Sequence, residues 1–313
     1  MQALRAGFSA ILLTIALAFG SPQARAQDQG KDRDCTAAEA REGDRWAWLN
    51  ARDRRGSIER HLPWGEPTET VPTTGERTFV LTDYVNRFDT DLRVPIWSAE
   101  RIDWSRLRRT ARIDCFRPHP QAVSASDLLN DYDEPLYDQG HLTPAADQDS
   151  SVTAMVNTFF YTNMAPQHAR FNRGIWGRLE AIVRTWVQRN GTVYVISGSV
   201  FDRDSDGRRD PDASAERMSP RRGPARVAVP TAFFKIVTYR RADGRLSTLT
   251  IMLPHQPVRL SGRALGNYFQ THVTTVSQIE QVTGLNFFPN QAALGEETQF
   301  CTFGGGAPRN LCN

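Results

Sequence analysis

The most regular alternation of apolar and polar positions lies in "RFNRGIWGRLEAIVRTWVQRNG", residues 170–191. Phe171, Ile175, Trp176, Leu179, Ile182, Val183, Trp186 and Val187 recur at the 3.6-residue period of a helix with one buried stripe. Asn190-Gly191 supplies a stop, because glycine readily adopts the conformation that ends helices. Off that stripe, Glu180 and Arg184 stand four apart and share a face.

Shorter apolar runs read as strands: "TFVLTDY" (78–84) and "VPIWSAERI" (94–102), with "VNRFDTDLR" between them as a hairpin connection. "NTFFYTNMAPQ" (157–167) reads as a short strand leaving into a loop, and "TVYVISG" (192–198) as a buried strand. "RVAVPTAFFKIVTYR" and "LSTLTIMLP" flank Asp243-Gly244, a hairpin signal. "THVTTVSQIEQVTG" (271–284) reads as a late helix, and "HLPWGEPTETVPTTGER" (61–77) as turns. Strands and helices mix without regular βαβ alternation, which predicts an α+β fold with a mixed or antiparallel central sheet. No internal repeat breaks the chain. One catalytic domain is expected over 46–298, preceded by a loose polar segment at 27–45 and followed by a cysteine-containing tail at 299–313.

The first 26 residues stand apart. Arg5 precedes an apolar run from Phe8 to Phe19, and Ala24-Arg25-Ala26 forms an A-x-A cleavage pattern. This predicts a secretory signal peptide cut before Gln27, in a run too short for a membrane span. The expected location is the periplasm or the medium. All four cysteines, Cys35, Cys115, Cys301 and Cys312, follow that point. An even number in an exported chain suggests two disulfides. Three pairings are possible; the Gly/Pro-rich "CTFGGGAPRNLC" favours Cys301–Cys312 with Cys35–Cys115. No C-x-x-C spacing points to zinc.

Charge by itself does not announce nucleic acid. The formal +3 falls to about +1 once Arg5 and Arg25 are removed. The bases are nearly all arginine, Lys31 and Lys235 being the two lysines. Arginine's planar fork suits phosphate, although a GC-rich genome produces the same bias. "RIDWSRLRRTAR" concentrates Arg101, Arg106, Arg108, Arg109 and Arg112, which is either a phosphate-facing patch or a solvated surface.

The candidate chemistry centres on "YDQGHLTPAAD", where Gly140 directly precedes His141. By itself this fits an idle turn histidine as well as a general base. Downstream stand "TNMAPQ" and "FNRGIWGRLEAIVR". In that order the three segments resemble the ββα-metal (His-Me finger) family of DNA/RNA non-specific endonucleases, of the endonuclease G and Serratia nuclease type. "WSAERI", "VYVISGSVF", "VPTAFFKIV" and "IEQVTGLNFFP" extend the resemblance over roughly residues 62–289.

The resemblance implies a ββα-metal active-site motif and an endonuclease that cuts DNA and RNA, leaving 5′-phosphate ends. It implies His141 as general base, a role suited to a group titrating near neutrality. Asn172 is implied as the ligand of Mg²⁺ or Mn²⁺, a hard cation that keeps most of its waters. Glu180 would hold the water shell, Arg101 would stabilise transition-state charge, and Arg184 would contact phosphate. Asn163 would brace the site, Asp138 would orient the histidine loop, and Gly140 would let the backbone turn sharply. One position departs from the pattern: the family's D-R-G-H arginine is Gln139 here, which puts substrate affinity in question.

A further motif lies outside that pattern. "DRDSDGRRDPD" (202–212) carries Asp202, Asp204, Asp206, Asp210 and Asp212, with Gly207 after the third. Its opening has calcium-loop spacing. Ala213 stands where an EF-hand glutamate would be, so the stretch is a non-EF structural Ca²⁺ loop or a hydrophilic insertion. Two other functions remain open: a binding protein on a retired nuclease fold, and a specialised toxin-type nuclease with an immunity partner. DNA and RNA are the expected partners, and a homodimer is left open.

Overall fold

The computed structural model describes residues 33–70, 75–107, 110–122, 132–224, 226–291 and 294–312; the signal-peptide expectation and Arg108–Arg109 lie outside them. Strand β1 (Arg33–Asp34) leads into helices α1 (Ala37–Trp46) and α2 (Ala51–His61). After β2 (Thr68–Glu69) come β3 (Glu76–Val80), β4 (Val85–Asp89) and β5 (Val94–Asp103), an antiparallel meander. Strands β6 (Ile113–Asp114) and β7 (Tyr137–His141), helix α3 (Val152–Asn157) and strand β8 (Met164–His168) follow. A π-type turn over Phe171–Trp176 then runs into α4 (Gly177–Asn190). Strands β9 (Thr192–Val200), β10 (Ala232–Arg240) and β11 (Leu246–Pro254) complete the sheet centre. The chain closes with α5 (Gly262–Thr271), β12 (Val273–Thr274), α6 (Val276–Thr283), β13 (Leu285–Asn286), β14 (Glu296–Glu297) and α7 (Arg309–Cys312).

The main sheet runs in the order β12-β11-β10-β9-β5-β4-β3, with β14 added parallel to β11. Strand alternation sends neighbouring side chains to opposite faces. On one face, Val193, Val195, Phe233, Val237, Leu249 and Ile251 pack with Leu179, Ile182, Val183 and Trp186 of α4. On the other, Ile196, Phe234 and Ile236 pack with Val276, Ile279 and Val282 of α6. The expected α+β class and antiparallel sheet are therefore present, buried on both faces.

The helix expected over 170–190 forms, but Gly174 breaks its first turn (φ −104°, ψ −109°), and Gly191 ends it at φ 76°. The favoured disulfides, Cys35–Cys115 and Cys301–Cys312, are both present. Among the described residues, no helix is long and apolar enough to cross a membrane.

Several expectations need correction. The 85–93 connection contains β4, so the expected hairpin is a three-stranded meander. Only Met164–His168 of the 157–167 run is strand; Asn157 ends α3, and Tyr161–Asn163 is a 3-10 turn. The loose segment at 27–45 is, over its described part, β1 followed by α1. Thr36 and Glu39 cap it reciprocally, a T-x-x-E box legible in the sequence.

The 299–313 tail is not an appendage either. Phe300, Phe303 and Leu311 are buried in the main core, and the Phe303 ring lies 4.8 Å edge-on to Trp186. Removing a buried aromatic costs about 3–5 kcal/mol. Phe300→Ala should therefore lower unfolding free energy by roughly that amount in urea titration; a change within ~0.5 kcal/mol, typical of surface sites, would make the tail a mere appendage.

Candidate active site

Two units build the cleft: the β7–β8 ribbon and the turn leading into α4. The ribbon pairs Gln139 with Pro166, Gly140 with Ala165 and His141 with Met164. Gly140 is needed for close packing and not for a turn: a Cβ there would lie 2.4 Å from the Gln167 side chain. That corrects the expected role of this glycine. Gln139, His141, Asn172, Arg173, Arg178, Glu180, Arg184 and Arg112 line one cleft of about 220 Å³.

The His141 ring is packed edge-on against Phe159, centroids 4.7 Å apart, and its Nε2 is buried without a hydrogen-bond partner among the described residues. Burial first, and the nearby Arg112 cation second, hold its pKa well below the usual imidazole value; a hydrogen bond with the Gln139 backbone opposes them. The imidazole is therefore neutral at pH 7, with a nitrogen left unsatisfied by the protein.

Asn163 is fully buried beneath this strand end. Its Oδ1 accepts from the Thr143 N–H at 3.0 Å, and its Nδ2 donates to the carbonyls of Thr143 (2.9 Å) and Thr158 (2.8 Å). These bonds fix the chain as it leaves His141, so Asn163 positions the site without touching the cleft.

Asp138 acts on the other unit. Its carboxylate accepts from Asn172 Nδ2 at 2.9 Å and from Arg173 at 2.6 and 2.9 Å. The expected partner was the histidine loop; the observed ones are the residues opening the helix. With its NH₂ group engaged, the Asn172 amide has an oxygen that accepts no hydrogen bond among the described residues. Glu180, two turns on, makes no side-chain hydrogen bond among the described residues. An amide oxygen and a carboxylate form a hard donor set that fits a cation of the Mg²⁺, Mn²⁺ or Ca²⁺ kind.

Glu180 belongs to a buried charged cluster under the cleft. Burial raises its pKa to about 7, with the positive charges of Lys235 and Arg184 pulling the other way. Lys235 is fully buried on β10; its Nζ donates to Ser197 Oγ at 2.7 Å and sits 4.4 Å from the Trp176 ring centre. Glu100 on β5 accepts from Gln148 Nε2 at 2.7 Å, and burial followed by the nearby Asp147 raises its pKa. Arg184 does not pair with Glu180 along the helix. It donates to the buried Asp147 at 2.7 Å, which fixes the guanidinium at the cleft wall.

Arg101 is not part of this site. It neighbours Glu100 on β5 and so projects to the opposite face. There its backbone N–H donates to His61 Nδ1, and its guanidinium pairs with Asp103 at 2.9 Å. Among the described residues, Arg112, steadied by Asp114 at 2.6 Å, is the arginine of the 101–112 run which lines the cleft. Arg112 stood in the arginine-rich run, but spacing alone could not single it out. Arg173 and Arg178 were also missed, as was Lys235, whose signal was being a lysine in an arginine-rich chain.

In the acidic loop, Asp202, Asp204 and Asp206 bring carboxylate oxygens within 4.8 Å of one another. Asp210 instead accepts from the Arg203 N–H at 2.6 Å, and Asp212 pairs with Arg209 at 2.9 Å. Of the five aspartates expected around one ion, three converge, two of them exposed, and these three also accept the backbone N–H groups of Asp206, Gly207 and Arg208.

Residues 67–294 match the sequence profile of the DNA/RNA non-specific endonuclease family. The chain is 30% identical over 226 residues to the zebrafish (Danio rerio) mitochondrial nuclease EXOG, covering 70% of this chain and 63% of that protein. It is 31% identical over 224 residues to human (Homo sapiens) mitochondrial endonuclease G, covering 71% and 72%. Its fold is similar to the crystal structure of an EndoG/EndoGI complex, with a TM-score of 0.62, 25% identity, and coverage of 77% of this chain and 95% of that one. On these grounds the chain belongs to the DNA/RNA non-specific endonuclease family.

Proposed function

We propose that this chain is an exported, divalent-metal-dependent endonuclease that hydrolyses DNA and RNA without reading sequence. The observation that carries this reading is the cleft itself. A neutral, unpartnered His141 nitrogen shares it with the Asn172 oxygen, with Glu180 and with four arginines. Two disulfides in a chain that opens on a leader-like sequence support export.

In the reaction, water's oxygen forms a bond to phosphorus while its proton passes to His141. The P–O3′ bond breaks, leaving a 5′-phosphate, and the departing oxygen takes a proton from solvent. Asn172 would hold a Mg²⁺ or Mn²⁺ ion, with Glu180 accepting hydrogen bonds from its waters. Such an ion supplies Lewis-acid stabilisation of charge on the leaving oxygen. Arg112, Arg173 and Arg178 would engage the phosphate backbone, and Arg184, held by Asp147, would offset developing negative charge. Gln139 adds a hydrogen bond without charge. Backbone contacts of this kind carry no sequence information.

The deciding experiment is incubation of the mature protein with plasmid and with RNA. Both should be cut in Mg²⁺ and neither in EDTA. His141→Ala should slow cleavage by about 10²–10⁴-fold, the usual range for losing a general base, while DNA binding persists. Full activity in EDTA, or a wild-type rate in the variant, would contradict the reading.

Glu180 gives a second test, on metal-free protein. Its folded pKa of about 7 lies above the ordinary glutamate value of 4.5. The folded state therefore holds this proton more tightly, and stability is lost as pH rises between those values. Glu180→Gln removes that titration. In EDTA, the melting temperature of the wild type should fall more between pH 5 and pH 8 than that of the variant; equal falls would show that Glu180 is not a destabilising buried anion.

A further inference from the structure

We propose that a groove between α1 and α2, outside the cleft, is a second contact for the nucleic-acid strand; this rests on the nuclease reading above. The groove measures about 620 Å³ and is lined by Trp46, Leu49, Arg52, Arg55, Gly56 and Arg60. Trp46 is 51% exposed, and the adjacent Trp48 is 62% exposed. Two exposed indoles two residues apart, beside the polar rim of the groove, form an apolar surface available to a partner. The Trp46 ring is held in place, its Nε1 donating to Glu42 Oε1 at 2.9 Å one helical turn back.

The charges favour a polyanion. Asp53 and Glu59 also line the groove, against three arginines. Asp53 is engaged at the helix start, accepting from Asn50 Nδ2 at 2.7 Å. Arg52, Arg55 and Arg60 make no side-chain hydrogen bond or ion pair among the described residues, in contrast to the paired Arg87, Arg117 and Arg184. Free guanidinium groups beside a fixed indole suit phosphates beside stacked bases. That form of recognition tolerates any sequence, because every base has a π-face.

Gly56 is the second, independent observation. It lies mid-helix in α2, where glycine is destabilising relative to alanine. Nothing lies within 4 Å of the place its Cβ would occupy, so no internal packing demands a glycine. Its effect is to leave the groove floor open.

The groove is tied to the catalytic unit. Helix α1 rests on α3, since a Cβ on Gly43 would meet the Asn157 side chain at 2.4 Å. Met155 of α3 lines the cleft, and the Cys35–Cys115 disulfide joins the start of α1 to the segment carrying Arg112. A strand held at the groove would be tethered to the same body that carries the cleft, which would raise its local concentration there.

The test uses the full mature chain in EDTA with a fluorescent oligonucleotide of about 30 nucleotides, longer than a single ~4–16-nucleotide binding site. Gly56→Gln, which fills the floor with a good helix former, should melt no lower than wild type yet bind about tenfold more weakly. Trp46→Ala combined with Arg55→Ala should weaken binding similarly. With Mg²⁺, both variants should raise KM for long substrates while leaving kcat and KM for a tetranucleotide unchanged. Unchanged oligonucleotide binding in both variants overturns the proposal. So does loss of binding to anionic phospholipid vesicles, or of dimerisation, with oligonucleotide affinity intact. If the wild type cuts nothing, the enzymatic reading fails, while the EDTA arm still reports on the groove.

Discussion

One carboxylate joins the two halves of the cleft. Asp138 sits on the strand that carries Gln139 and His141, and it accepts hydrogen bonds from Asn172 and Arg173 at the start of the helical unit. The ribbon carries Gln139 and His141, and the helical unit carries Asn172, Glu180, Arg173, Arg178 and Arg184. Without a link between them, the amide of Asn172 could rotate, and either its oxygen or its NH₂ group could face the cleft. A hydrogen bond to a carboxylate removes that ambiguity, because an ionised carboxylate only accepts. The kink at Gly174 falls between Asn172 and the regular helix that begins at Gly177.

Beneath the cleft, the fold bears an electrostatic cost. Glu100 and Asp147 are carboxylates withdrawn from water, with Glu180 half-buried beside them, and burying charges costs several kcal/mol each unless they are paired. Lys235 and Arg184 are the opposing charges, each with a fixed partner: Ser197 and the Trp176 ring for the lysine, Asp147 for the arginine. A compact ammonium suits the centre of a sheet better than a guanidinium, whose five donors could not all be satisfied there. That gives a physical reason for a lysine at this position in a chain otherwise rich in arginine. Among the described residues, Glu180 is the member left without a side-chain hydrogen bond, at the side of the cluster that opens to the cleft.

The sequence made some of this legible and left the rest hidden, for definable reasons. The 3.6-residue stripe of α4 and the Asp243-Gly244 hairpin are local signals, and both elements formed where expected. The ordered motifs placed His141, Asn172, Glu180 and Arg184 together in one cleft. What local signals could not resolve was the face of a strand: a shift of one residue turns Arg101 away and Glu100 inward. Nor could they pick Arg112 from five arginines, because the choice is made by the Cys35–Cys115 link and the packing around Phe159. Asp138 was assigned to the loop beside it in sequence, whereas its partners lie thirty-four and thirty-five residues away. The core role of Phe300 and Leu311 was masked by the Gly/Pro-rich composition around them.

The account turns on Asp138 presenting the Asn172 oxygen to a divalent cation. The most direct measurement is the affinity of the purified protein for Mn²⁺, by calorimetry or electron paramagnetic resonance, with and without Asp138→Ala. Partners that orient a metal ligand typically affect affinity by about 10–100-fold. The account predicts a weakening in that range in a variant that still unfolds cooperatively. Mn²⁺ binding as tight in Asp138→Ala as in the wild type would contradict it.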